Sequence, residues 1–226
     1  MGLVNRQSLN ATLDAVDDAL FHGRRLSKAE RTDAARWIAG RQGLPGSYSG
    51  MFAPTTQDFE TGVRFFTGER LPTRAGTAHV LGEEACRALI LLDVKEAVVQ
   101  DALKRATDGI MERVAKINEP RRGTYCCGKC TVAYWRHLAV GGLEYPERRL
   151  AAGMKVLKSR RDGEGKWGIY PFYYTLLALS EIDLPSARKE TQYAAPVCER
   201  ILKRKPKDDK FDVRRRLLAE RALERC

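Results

Sequence analysis

Apolar residues recur along this chain at intervals of three and four, and almost nowhere at strict intervals of two. Leu9, Leu13, Val16 and Leu20 make one helical stripe, which Gly23 can terminate. Ser27-Lys28-Ala29-Glu30 is a capping box, so a second helix is expected through Trp37 and Ile38 toward Gly40. Ala78, Leu81, Ala85 and Leu89 mark a third, and Val98, Ala102, Ala106, Ile110 and Val114 a fourth. Further helices are expected over 128–140, 146–159, 171–182 and 186–203, with Pro146 and Pro171 suited to a first helical turn. The pattern predicts an all-α protein.

The segments between helices carry their own signal. RQGLPGSYSGMFAP at 41–54, NEPRRGTYCCGKCT at 118–131 and RRDGEGKWGIYPFY at 160–173 each pass from a polar turn through Gly-Ser-Tyr, Gly-Thr-Tyr or Gly-Lys-Trp into a helix. LPTRAGTAHVLGEE at 71–84 keeps Gly-Thr without the aromatic. The corner glycines are Gly46, Gly76, Gly123 and Gly165, spaced irregularly but mostly as helical hairpins would space them. Glycine permits a tight turn, and a following aromatic can plug the junction between helix layers.

On AARWIAGRQGLPGSYSGMF and GMKVLKSRRDGEGKWGIYPFYYTLLALSEI, the chain resembles the repeat of the terpenoid cyclase and protein prenyltransferase superfamily, the squalene-hopene cyclase type included. Gln42, Gly46, Tyr48, Asp162, Gly163, Gly165, Trp167 and Gly168 occupy that pattern. The resemblance implies helical-hairpin repeats forming a partial or small α/α toroid over residues 1–205. Residues 206–226 would then be a basic C-terminal helix docked on it, with Phe211, Leu218 and Ala222 on its apolar side. It further implies a central concavity that binds an apolar or isoprenoid-like small molecule, with Tyr48, Tyr134, Trp167, Tyr170, Phe172 and Tyr173 as candidate lining. A second reading of the same aromatics is ordinary core. Family cyclases protonate their substrate with an Asp-x-Asp-Asp motif, which the chain lacks; the nearest arrangement, Asp14 with Asp17 and Asp18, reads as the solvated face of the first helix.

Aligning the corners by their glycines places His79 level with Cys126, and Glu83 level with Cys130 one turn deeper. Three chemistries suit that group. Cys127 and Cys130 form a CxxC half-site that Cys126, His79 or Glu83 can complete for zinc. Alternatively, Cys126 is a nucleophile favoured by a helix N-terminus and served by His79, with Glu83 as a further acid or base. The third reading is packing by small polarisable thiols. His137, seven residues beyond Cys130 and so roughly 10 Å along a helix, is not expected to share a ligand set with it. Cys86 and Cys198 read as packing, and Cys226 as an exposed terminal thiol.

Composition adjusts this picture in two ways. Hydrophobic residues at 43% and charged residues at 31% fit a globular protein, and neither a membrane span nor a signal-peptide core is visible, so a cytoplasmic location is expected. The formal charge of +11 is uneven: ten Lys or Arg against five Asp or Glu lie from Lys203 onward. That segment is the one feature suited to nucleic acid, and it lacks the aromatic-rich motif that would make it a binding platform. A non-catalytic helical-repeat adaptor for a protein or nucleic acid is the alternative function, and an incomplete ring is compatible with a homo-oligomer.

Overall fold

A computed structural model describes residues 2–116 and 123–226. Among them the chain is mainly helical, as the periodicity requires: α1 (Leu9–Phe21), α2 (Lys28–Ala39), α3 (Thr56–Thr61), α4 (Arg74–Leu92), α5 (Ala97–Ala115), α6 (Gly128–Ala139), α7 (Pro146–Lys158), α8 (Phe172–Glu181), α9 (Pro185–Lys203) and α10 (Lys210–Glu224). The caps follow the sequence chemistry. Ser8 and Ser27 accept from Ala11 and Glu30 backbone N–H groups, and the capping box at Ser27 is complete. Pro146 opens α7, whereas Pro171 stands one residue outside α8 as its N-cap, and Pro185 takes the first-turn position in α9.

A short helix and a two-stranded hairpin escaped the periodicity. The six-residue α3 is set by a Thr55/Asp58 capping box, and β1 (Val63–Arg64) pairs antiparallel with β2 (Arg70–Leu71). Both are too short for a recognisable period. On α5, Val99 is buried while Val98 is exposed, so the apolar stripe begins one residue later than the pattern suggested.

The helices alternate between two layers. α4, α6 and α8 lie side by side, α1 packs on α4, and α10 packs on α8 and α9. α5, α7 and α9 lie behind them, each returning from the helix before it. The two corners with the fullest sequence match each close with one antiparallel bridge, Gln42 to Phe52 and Arg161 to Trp167. Gly46 and Gly165 hold φ of 89° and 93°, which a side chain would resist. The polar turn at 118–122 of the third corner lies outside the described residues.

Close backbone approach also selects glycine on α5. A Cβ at Gly109 would overlap the Ser49 carbonyl oxygen. Gly109→Ala should therefore destabilise the protein by about 1–3 kcal/mol. Urea unfolding measures this, and a loss below about 0.5 kcal/mol would show that the first corner can retreat.

The C-terminal helix docks as its pattern suggested, burying Leu218 and Ala222 with Phe211 half-buried. It also buries a charge. Arg214, 5% exposed, spans Asp14 and Asp18 of α1 at 2.6 and 2.8 Å, with its guanidinium 3.9 Å from the Phe66 ring centroid.

The acidic face of α1 corrects the sequence reading. Asp17 is buried, and Arg87 Nη1 and Arg136 Nη1 donate to it at 2.6 and 3.3 Å. Glu84 and Glu181 complete the network: Arg136 Nη1 donates to Glu84 at 2.6 Å, and Arg136 Nε and Arg87 Nη2 donate to Glu181 at 2.8 and 2.6 Å. The Tyr174 hydroxyl donates to Glu84. Acidic residues on α1 face inward here because α4, α6 and α10 supply opposite charge, which the α1 sequence does not reveal. No described helix is long and apolar enough to cross a membrane.

Candidate metal centre

The site forms where the N-terminal half of α4 meets the N-terminus of α6, the helices with the most extensive mutual packing after α9 and α10. α4 carries His79 and Glu83 one turn apart on the face toward α6. The chain entering α6 supplies Tyr125, Cys126 and Cys127, and the first turn of α6 supplies Cys130. Gly128 allows this entry to lie against the 165–171 corner, since a Cβ there would sit 2.5 Å from the Ile169 carbonyl oxygen.

His79, Cys126 and Cys130 each offer one ligand atom, all within 4.8 Å of one another. The Cys126 sulfur lies 4.0 Å from His79 Nδ1. Donors around a tetrahedral zinc stand about 3.6 Å apart for sulfur and nitrogen and about 3.8 Å for two sulfurs, given the usual bond lengths. The group can thus close on an ion with small side-chain movement. A soft thiolate and imidazole set suits zinc or another late transition metal and suits calcium or magnesium poorly.

The surroundings fix His79. Its Nε2 meets Glu83 Oε1 at 3.2 Å, leaving Nδ1 toward the thiols. Tyr48 stacks on one side of the ring at 4.2 Å between centroids, and Tyr125 meets it edge-on at 4.2 Å. The two phenol oxygens are 3.2 Å apart. A carboxylate on the far nitrogen of a ligand histidine holds the ring and its tautomer for the metal. His137 was expected to stand apart from Cys130 and does so; it joins from behind instead, with Nδ1 2.6 Å from Glu83 Oε2. His79, Glu83 and His137 are all essentially inaccessible, at 1%, 0% and 0% exposure. Burial alone would push the Glu83 pKa up, but the hydrogen bonds to His137 and His79 outweigh it and bring it down to about 2.

The predicted CxxC pair separates in role. Cys127 is the N-cap of α6, its sulfur accepting from the Cys130 N–H at 3.5 Å, and it is not in the three-residue ligand group. Hydrogen bonds from the Cys126 and then the Cys130 thiol, with backbone N–H groups of Cys130 and Lys129, lower the Cys127 pKa to about 2. The same hydrogen bond raises Cys126. Cys126 and Cys127 are exposed and Cys130 is buried, so the group has a wet side and a dry side.

Most of the rings named for a ligand cavity pack on neighbouring side chains. Tyr134 and Trp167 are fully buried; Trp167 stacks with Phe172 at 5.9 Å, and Tyr170 stacks with Trp135 at 5.4 Å. Tyr173 lies half-buried beneath Arg215. Tyr48 stacks directly on His79, and Tyr134 reaches the site through the Tyr125 ring at 6.0 Å. Cys86 and Cys198 are buried, and Cys226 is exposed.

No family model, curated protein or solved structure matches the chain. The site must therefore be read from its own chemistry.

Proposed function

We propose that this chain is a mononuclear zinc protein in which His79 Nδ1 and the sulfurs of Cys126 and Cys130 hold the ion. The observation that carries the reading is the orientation of a fully buried histidine. Glu83 takes its Nε2, and Nδ1 is left facing two cysteines that arrive from another helix. Packing alone gives no reason to bury a carboxylate between two histidines and aim the free nitrogen at thiols.

Three protein ligands would leave one coordination position for substrate, and Cys126 gives the group a solvent-facing side. An ion there supplies Lewis acidity. Glu83 holds the His79 tautomer and ring orientation, Tyr48 and Tyr125 pack against the ring, and Cys127 caps the start of α6. This reading is preferred to an isoprenoid-like ligand in a concavity, because Tyr134, Trp167, Tyr170 and Phe172 are engaged with neighbouring side chains. It is also preferred to the adaptor reading, which leaves the buried His79–Glu83–His137 group unexplained.

Elemental analysis of protein purified without chelator or affinity-tag metal should give about one zinc per chain. Cys126→Ser with Cys130→Ser should remove it, whereas Cys127→Ser should retain it. Folded wild-type protein that is metal-free and develops no cobalt(II)–thiolate absorption on cobalt addition would sink the proposal.

A further inference from the structure

Toward the end of α4 opposite His79 there is a cavity of about 450 Å³. Five helices build it: α1 through Asp17 and Phe21, α4 through Arg87 and Leu91, α6 through Arg136, α8 through Leu177 and Glu181, and α10 through Arg221, with Arg225 just past its end. His79 and Leu91 are twelve residues apart on α4, about 18 Å, so the cavity is separate from the metal group.

The lining has two characters. Leu20, Phe21, Phe66, Leu91 and Leu177 give it an apolar wall, and Leu91 is 37% exposed, unusual for a leucine beside a core. The floor is one side of the buried ion network, and the two network carboxylates that line the cavity, Asp17 and Glu181, are already occupied. Asp17 accepts from Arg87 and Arg136, and Glu181 accepts from the same two residues through both oxygens. The donors, by contrast, are in surplus. Arg87, 6% exposed, has its Nε without any hydrogen-bond partner, and Arg221 at the rim rests on the Phe21 ring at 4.1 Å with no carboxylate within ion-pair range among the described residues. Four arginines face three carboxylates across the lining, Asp17, Glu181 and Glu224. A buried guanidinium N–H without an acceptor is costly, and a ligand oxygen would relieve it.

We infer that this cavity is a binding site for an amphipathic organic anion, a carboxylate on an apolar body, with the acid between Arg221 and Arg87 and the body against Leu91, Phe21 and Phe66. A cation would have to compete with guanidinium groups already seated on Asp17 and Glu181. A fully apolar ligand would leave the donor surplus as it is.

Calorimetric titration of the full chain with octanoate, octylammonium and octanol tests this. Octanoate should saturate one site and bind at least about tenfold tighter than either analogue, as a charge-assisted hydrogen bond allows. Arg221→Glu should weaken octanoate about tenfold or more, and Ser180→Trp, a substitution at a half-buried lining position, should abolish binding by filling the space. Circular dichroism and thermal melting show that each variant is folded. Because the site is remote from the thiols, Cys126→Ser with Cys130→Ser should bind octanoate normally. The inference is overturned by the absence of saturable octanoate binding, by tighter binding of octylammonium or octanol, or by folded Arg221→Glu and Ser180→Trp variants that bind as wild type.

Discussion

Glu83→Leu is expected to lower stability by about 3–5 kcal/mol and to weaken metal binding by about 10–100-fold. Two effects combine. The leucine removes the carboxylate that meets His137 Nδ1 at 2.6 Å and His79 Nε2 at 3.2 Å, in a site closed to water. It also frees the His79 ring to rotate away from Cys126. Glu83→Gln keeps the volume and one acceptor oxygen, so it should fall between leucine and wild type on both measures. Urea unfolding with and without chelator, together with cobalt titration, separates the stability loss from the ligand loss. An unfolding free energy within about 1 kcal/mol of wild type would mean that the histidines do not depend on Glu83.

The same residue gives a pH dependence whose sign follows from its pKa. The folded value of about 2 lies below the ordinary 4.5, so the stabilisation is fully present above about 4.5 and is lost as pH falls through 2. Wild type should accordingly lose urea resistance progressively between about pH 5 and pH 2, and Glu83→Gln should lose less over that window.

Arg136→Met carries the second large effect, a destabilisation of about 3–5 kcal/mol. Arg136 is 2% exposed and donates to Asp17, Glu84 and Glu181 on three different helices. Methionine fills much of the space but leaves Asp17 and Glu181 sharing Arg87, and Glu84 with the Tyr174 hydroxyl. Arg87→Met should cost less, since Arg136 still reaches every carboxylate. Chemical denaturation orders the two variants, and equal losses would show that the network acts as a single unit with no central member.

Nine of the ten described helices and most boundaries were legible because burial on a helix repeats every three to four residues, and signals such as the Ser27 capping box and Pro146 announce the starts. Aligning the corner glycines put His79, Glu83, Cys126, Cys127 and Cys130 together, and of the cysteines Cys126 and Cys130 lie with His79. Other features were out of reach for a physical reason. Whether Cys126 or Cys127 faces His79 depends on the path into α6, where the Cys127 sulfur caps the helix instead. His137 and Arg136 are neighbours on α6, yet one turns to Glu83 and the other to Asp17, Glu84 and Glu181. Asp17 looked solvated because its counter-charges lie 70 and 119 residues away. By itself the sequence determined an all-α chain with thiol and imidazole chemistry near two helix starts. Only the tertiary structure decided which groups meet and which charges are buried, because electrostatic pairing inside a protein is set by helix packing across long sequence separations and leaves no local periodicity.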